Sequence, residues 1–253
     1  MSAALPRPPA VELLEADRLR LTETALPPLP FAERLARDRV WDAAVRADPA
    51  LFDGPVVVCA ELEREGPRCI AVSWARTTYR HFALRRVPGA TAWLPSLFVA
   101  VVQPTDDGRL LVGRMSAATA APGRWQLPGG SVEPPDDHGP LDLPALRRNA
   151  VRELVEETGV DTPPDELGLW LLTRGENGNI GVLFRAPRRP ADLLYARYAD
   201  LVSAETARGR TPELDRIALV GSPEGMSGLG PTHVDYLRPV VRRWAGAELT
   251  PWA

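Results

Sequence analysis

The stretch RELVEETGV packs Glu153, Glu156 and Glu157 into five consecutive residues together with Leu154 and Val155. On a helix, residues three and four apart stack on one face, so the three carboxylates would share one edge. Each like-charged pair at that spacing costs roughly a few tenths of a kcal/mol when solvated, and more when partly buried. Gly159 closes the stretch, which puts the acids near a helix C-terminus, where the dipole disfavours negative charge. A divalent cation reverses both penalties, because Mg²⁺ and Mn²⁺ prefer hard oxygen ligands. Without a cation the same acids read as a solvated edge, with Arg152 as partial counter-ion.

A helix over residues 144–158 has to carry these acids. Asp142 stands where an N-cap belongs, Pro144 is tolerated in the first turn, and Gly159 suits the left-handed position after a helix. Leu146, Ala150, Val151, Leu154 and Val155 give the helix one apolar side. Upstream lies a glycine turn, PGGSVEP, and between turn and helix the proline-rich run DDHGPLDLP reads as an insertion. A longer loop costs only about 0.6 kcal/mol per doubling of its length, so the insertion need not disturb the acids.

The elements around the helix follow from periodicity and turn signals. From residue 97, LFVAVVQ is a continuous apolar strand, TDDG a turn and RLLVGRM a second strand, together a hairpin. WQLPGGSVE is a strand running into the glycine turn. Further strands are predicted at LGLWLLTR, IGVLFRA and LDRIALVG, with the helix ADLLYARYADLVSAETARG between the last two. THVDYLRPVVRRW predicts a final helix that Pro239 should kink or break. The first ninety residues read as a small α+β unit. Residues 1 to about 16 are expected to fray, RLRLTETAL is a strand and residues 31–49 a helix. PVVVCAELE and CIAVSWARTTYRHFALRR are strands around a Glu65-Gly66-Pro67 turn, the second ending in a short helix. Strands and helices mix without strict βαβ alternation, which favours an α/β sandwich over a doubly wound sheet. The expected division is 1–93 and 94–253.

Composition narrows the class. A 253-residue chain that is 45% hydrophobic and 25% charged, with net charge −3, reads as soluble and globular, with no bias toward nucleic acid or membrane. All 30 basic residues are arginine, so no lysine can act as base, Schiff-base former or P-loop cation. Only three asparagines occur (Asn149, Asn177, Asn179), a depletion that suits a GC-rich genome. No apolar run reaches membrane-span length and MSAALPRPPAVELLEAD lacks a signal pattern, so a cytoplasmic protein is the expectation. Cys59 and Cys69 are then read as reduced thiols rather than a cross-hairpin disulfide. His81, His138 and His233 lie far apart in sequence and read as structural.

PGGSVEP followed by RELVEETGV resembles the Nudix box, the signature of the Nudix hydrolase superfamily. In family form the box runs Gly, five residues, Glu, seven residues, then Arg-Glu-aliphatic-x-Glu-Glu-x-Gly-aliphatic. Arg152, Glu153, Leu154, Glu156, Glu157, Gly159 and Val160 match the second half, and Gly130 is the box glycine. Asp136 stands at the first glutamate, and fifteen residues (137–151) separate it from Arg152, so the box is stretched by eight. Hairpin, glycine strand, loop and helix also follow the family order, over roughly residues 95–245.

The resemblance implies an α/β/α sandwich with a mixed sheet, preceded by an α+β extension that serves substrate binding or dimerisation. It implies hydrolysis of a nucleoside diphosphate linked to another group X, with Mg²⁺ or Mn²⁺. Glu153 and Glu157 would be metal ligands, Glu156 a third, and the Gly129 carbonyl a further one. Arg152 would orient the acids, with Glu153 or Glu213 as general base; Glu213 otherwise reads as an exposed loop acid. LFDG, TTYRHF and GRMSAATAAPGRWQLPGG are similar in layout to Nudix enzymes that cleave UDP-glucose and UDP-galactose. That likeness would put Tyr79 beside the base or sugar and Arg114 on the diphosphate. Trp125 would line the pocket or pack under the sheet. The partner is a small diphosphate, not nucleic acid or membrane, and a homodimer fits family habit. Two alternatives stay open: another diphosphate, such as a nucleoside triphosphate or an isoprenyl diphosphate, or a non-catalytic ligand-binding module.

Overall fold

The computed structural model describes residues 10–49, 51–119, 121–136, 139–175 and 177–248. Two sheets frame the C-terminal half. One has the order β1 (Glu12–Glu15), β8 (Gly168–Arg174), β9 (Ile180–Arg185), β5 (Leu97–Val102) and is mixed, because β5 runs parallel to β9. The other places β6 (Leu110–Met115) between β10 (Leu214–Val220) and the two-residue β7 (Trp125–Gln126). Helix α2 (Leu143–Thr158) packs Leu146, Ala150 and Leu154 into one core, which also takes Leu194 of α3 (Ala191–Ala207). Helix α4 (Leu237–Glu248) packs Val240, Val241 and Trp244 into a second core. The expected α/β/α sandwich is the observed architecture.

The hairpin at TDDG forms only at its tip. Thr105 N donates to Arg109 O at 2.7 Å and Leu111 N to Gln103 O at 3.0 Å, after which β5 and β6 part into different sheets. The glycine segment takes the vacated edge of β5. Val99 N donates to Gly130 O at 3.0 Å, Val101 N to Pro128 O at 2.8 Å, and Val132 N to Leu97 O at 3.0 Å. Backbone groups on a buried strand must be paired, so the edge that lost β6 captures PGGSV and fixes the glycine turn in place.

Two other expectations are corrected. Residues 12–15 do not fray: β1 pairs antiparallel with β8, and Leu13 and Leu14 pack against the two cores. Pro239 neither kinks nor breaks its helix. The helix starts at Leu237, so the proline falls in the first turn, where its missing N–H has no intrahelical partner to lose.

The N-terminal half holds helix α1 (Phe31–Ala47) and a three-stranded sheet, β2 (Arg18–Glu23), β4 (Cys69–Thr78), β3 (Pro55–Gly66). A 3₁₀ helix, Tyr79–Arg86, follows β4 as the sequence anticipates. Val57 N donates to Val132 O at 2.9 Å, so β3 lies directly against the glycine segment. Both cysteines are free thiols.

Candidate active site

Helix α2 forms where capping and periodicity place it. Asp142 Oδ1 accepts from Ala145 N at 2.8 Å as the N-cap, and Gly159 closes the helix at φ 71°. A side chain at Gly159 would also press on the main chain of α3, its Cβ lying only 2.6 Å from Arg197 O, so glycine is required twice over.

Glu157 is 2% exposed, and its Oε2 accepts the Gly129 N–H at 2.8 Å. Burial raises its proton affinity well above the usual carboxylate range; the Gly129 N–H opposes this, and Glu153, Glu213 and Glu156 add to it. Glu153 is pushed up to about 7, first by burial, with Arg152 opposing and Glu156 and Glu213 reinforcing. Desolvation by the surrounding protein, then Glu156, raises Glu213. Arg152 is the hub of the cluster: it reaches Glu133 at 2.9 Å, Glu153 at 3.1 Å and Glu156 at 3.9 Å.

The glycine turn is shaped around these acids. A Cβ on Gly129 would collide with the Val99 carbonyl of β5, and one on Gly130 with the Glu153 carboxylate. Gly129, at φ 155° against β5 main chain, must therefore be glycine, whereas a side chain at Gly130 would displace the Glu153 carboxylate.

Glu153, Glu157, Glu213 and Glu133 line one cleft of about 730 Å³. Its opposite wall comes from the N-terminal half, with Phe52, Val56 and Tyr79. Phe52 is 78% exposed, an aromatic ring offered to whatever enters.

The sequence-derived candidates divide accordingly. Glu153, Glu157, Gly129, Glu213 and Tyr79 meet at the cleft. Glu156 stays on the exposed flank, within reach of Arg152. Arg114 is held by Asp215 at 2.7 and 3.0 Å and does not line the cleft. Trp125 is 3% exposed and donates Nε1–H to Leu229 O at 2.8 Å, packing in the core rather than lining a pocket. Asp136 is exposed and outside the cleft lining. Asp137 and His138 lie outside the described residues. His81 accepts the Leu94 N–H at 2.9 Å in the core, which is a structural role.

Glu133, inside PGGSVEP, lines the cleft and was missed by sequence reasoning. It anchors Arg152, and its own backbone N–H donates to Asn149 Oδ1 at 3.2 Å. Its position three residues after the box glycine was the available signal.

Among the described residues no three His, Cys, Asp or Glu side chains converge closely enough to hold an ion alone. The donor set nevertheless suits Mg²⁺ or Mn²⁺. It offers the buried Glu157 carboxylate, the half-buried Glu153 carboxylate and the backbone oxygen of Gly129, which also accepts from Gln126 Nε2 at 3.3 Å, all hard ligands with one arginine against three neighbouring acids. Mg²⁺ is commonly held by one or two carboxylates, water and substrate phosphate rather than by a protein cage.

Residues 95–221 match the NUDIX domain. No curated protein sequence matches the chain. Similar solved structures include the MutT protein from Methanosarcina mazei Go1, at 22% identity and TM-score 0.42 over 62% of this chain and 97% of that one. A NUDIX hydrolase from Nitrosomonas europaea is similar at 18% identity and TM-score 0.35, over 63% and 97%. A bifunctional NMN adenylyltransferase/ADP ribose pyrophosphatase from Francisella tularensis, complexed with AMP and a Mn ion, is similar at 14% identity and TM-score 0.34, over 58% and 40%. Because the domain match takes in half of the chain and runs through glycine turn and acidic helix together, the chain belongs to the NUDIX family and is a hydrolase of the pyrophosphohydrolase type.

Proposed function

We propose that the protein hydrolyses the diphosphate linkage of a nucleotide sugar such as UDP-glucose, releasing nucleoside monophosphate and sugar phosphate, with Mg²⁺ or Mn²⁺. One observation carries the reading. Glu157 is buried and Glu153 half-buried beside a glycine turn in one cleft, and desolvation first, then the neighbouring acids, makes each hold a proton more tightly than an ordinary carboxylate. That is the electrostatic state of a site built for cations.

When bound, the metal neutralises phosphate charge and lowers the pKa of a water molecule. The chain's own groups do the rest. Gly129 N–H fixes one oxygen of Glu157 and leaves the other free. Arg152, itself held by Glu133, fixes Glu153. Glu213 faces them from the loop before β10, and its proton affinity, raised by desolvation and then by Glu156, suits a base that takes the proton of attacking water. Water oxygen bonds to phosphorus, the bridging P–O bond breaks, and the departing phosphate keeps that electron pair. Glu153 is the alternative base. Tyr79 on the cleft wall supports an organic group beside the diphosphate.

The test is a panel of UDP-glucose, UDP-galactose, ADP-ribose, nucleoside triphosphates and isoprenyl diphosphates with each metal. Release of UMP from a UDP-sugar is expected. If no diphosphate on the panel is cleaved with either metal, the reading fails.

A further inference from the structure

The acid cleft is the middle of three adjoining cavities whose linings differ in chemistry. On one side, a cavity of about 270 Å³ shares Gly129, Gly130 and Ser131 with it. Its other walls are polar, with Gln126, Asn177, Asn179 and Asp235 around a Phe98–Tyr236 stack at 5.4 Å. Thr173 is fully buried in that lining, and its Oγ1 has no hydrogen-bond partner. On the other side, a recess of about 430 Å³ between α1 and the 3₁₀ helix shares Tyr79 and Thr119 with the cleft. Here the walls are Val40, Trp41, Leu51 and Phe82 together with the charged Asp48, Arg85 and Arg86, with the Tyr79 ring set edge-on to Trp41 at 6.3 Å and to Phe82 at 5.4 Å.

We infer that the aromatic recess takes the nucleobase and the asparagine-lined cavity takes the sugar, with the diphosphate between them over the acids. The assignment rests on the nucleotide-sugar reading and follows from complementarity. A base is a flat ring that gains from aromatic walls, and stacking on them needs few hydrogen bonds. A hexose carries hydroxyls that must be paired when buried, and this lining holds the Asn177 amide, the Nδ2 of Asn179 (whose Oδ1 already accepts from Arg85 and Ser96), a carboxylate and an unpartnered threonine hydroxyl. The chain has only three asparagines, and two of them stand in this one lining.

The two halves of the substrate can be tested separately through its products. Calorimetry would measure UMP and glucose 1-phosphate binding to the native protein, to Ala44→Phe, which fills the recess, and to Asn177→Ala. Ala44→Phe is expected to weaken UMP about tenfold and leave glucose 1-phosphate within about twofold. Asn177→Ala should do the reverse. Ala83→Leu fills the recess from the 3₁₀ helix and must repeat the first result, which guards against misfolding of the α1 variant. The opposite pattern, both variants acting on the same product, or no effect of either overturns the assignment. UDP-glucose turnover with a reversed binding pattern would sink the assignment alone, whereas no turnover and no binding of either product would sink both readings.

Discussion

Glu157 is the residue where helix geometry, burial and chemistry meet. Glu157→Gln keeps an oxygen for the Gly129 N–H but removes a buried like charge. Turnover is expected to fall by about a hundredfold or more, with Tm unchanged or raised, since an unpaired buried acid is costly. Steady-state kinetics and a thermal melt on one sample check this, and undiminished turnover would place the metal elsewhere. Glu213→Gln separates the two candidate bases. If Glu213 takes the proton, kcat falls about 10²- to 10⁴-fold while Mn²⁺ affinity holds; near-native kcat assigns the proton to Glu153. At this scale the sequence is informative about acids and poor about arginines and aromatics. Glu153 and Glu157 can be placed because helical spacing fixes their edge. Arg114 cannot, because its partner Asp215 is 101 residues away and only strand pairing brings them together. Trp125 reads equally as a pocket or a packing residue for the same reason, its face being decided by α4 and the loop before it.

At the scale of elements, α2 is legible almost to the residue because cap, proline, apolar side and closing glycine all agree. The parted strands β5 and β6 are not, since both are apolar on two faces and a turn signal says nothing of what happens beyond the tip. The stretched loop between glycine turn and helix is held from outside. Arg76 of β4 donates to Pro135 O at 2.9 Å and Gly139 O at 3.4 Å, and its Nε pairs with Glu23 at 2.8 Å. Arg76→Met keeps the aliphatic stem and removes these bonds. Charge-assisted bonds of this kind are worth about 1.5–3 kcal/mol, so the loop should open at least about tenfold more often. Endoproteinase Asp-N cutting at Asp136 or Asp142 reads that opening. Equal cleavage rates in the two proteins would show that the arginine does not restrain the loop.

Across the whole molecule, the N-terminal half is more than an appendage: it lends Val57 and Trp74 to the core that holds Leu154 and forms one wall of the cleft. Sequence alone can divide the chain but not show that contact, because no local pattern encodes which surfaces meet. This half also gives the protein a pH limit. Burial lowers His81 to about 4 from 6.5, with Arg37 and Arg85 adding to the effect, so the fold requires the neutral ring. Its contribution is complete above about pH 6.5 and is lost as pH falls toward 4, by up to about 3 kcal/mol. Urea midpoints of native and His81→Gln proteins should therefore differ more at pH 7.5 than at pH 4.5; a gap independent of pH would exclude the histidine as its source. The Arg76 clamp has a consequence for descent as well as for rigidity. On the loop it grips two main-chain oxygens and no side chain, its Nε being held by Glu23, so it is indifferent to the residues strung between them. A lineage holding that grip can rewrite the three positions between Pro135 and Gly139 without retuning the acids, so this part of the stretched box is open to variation.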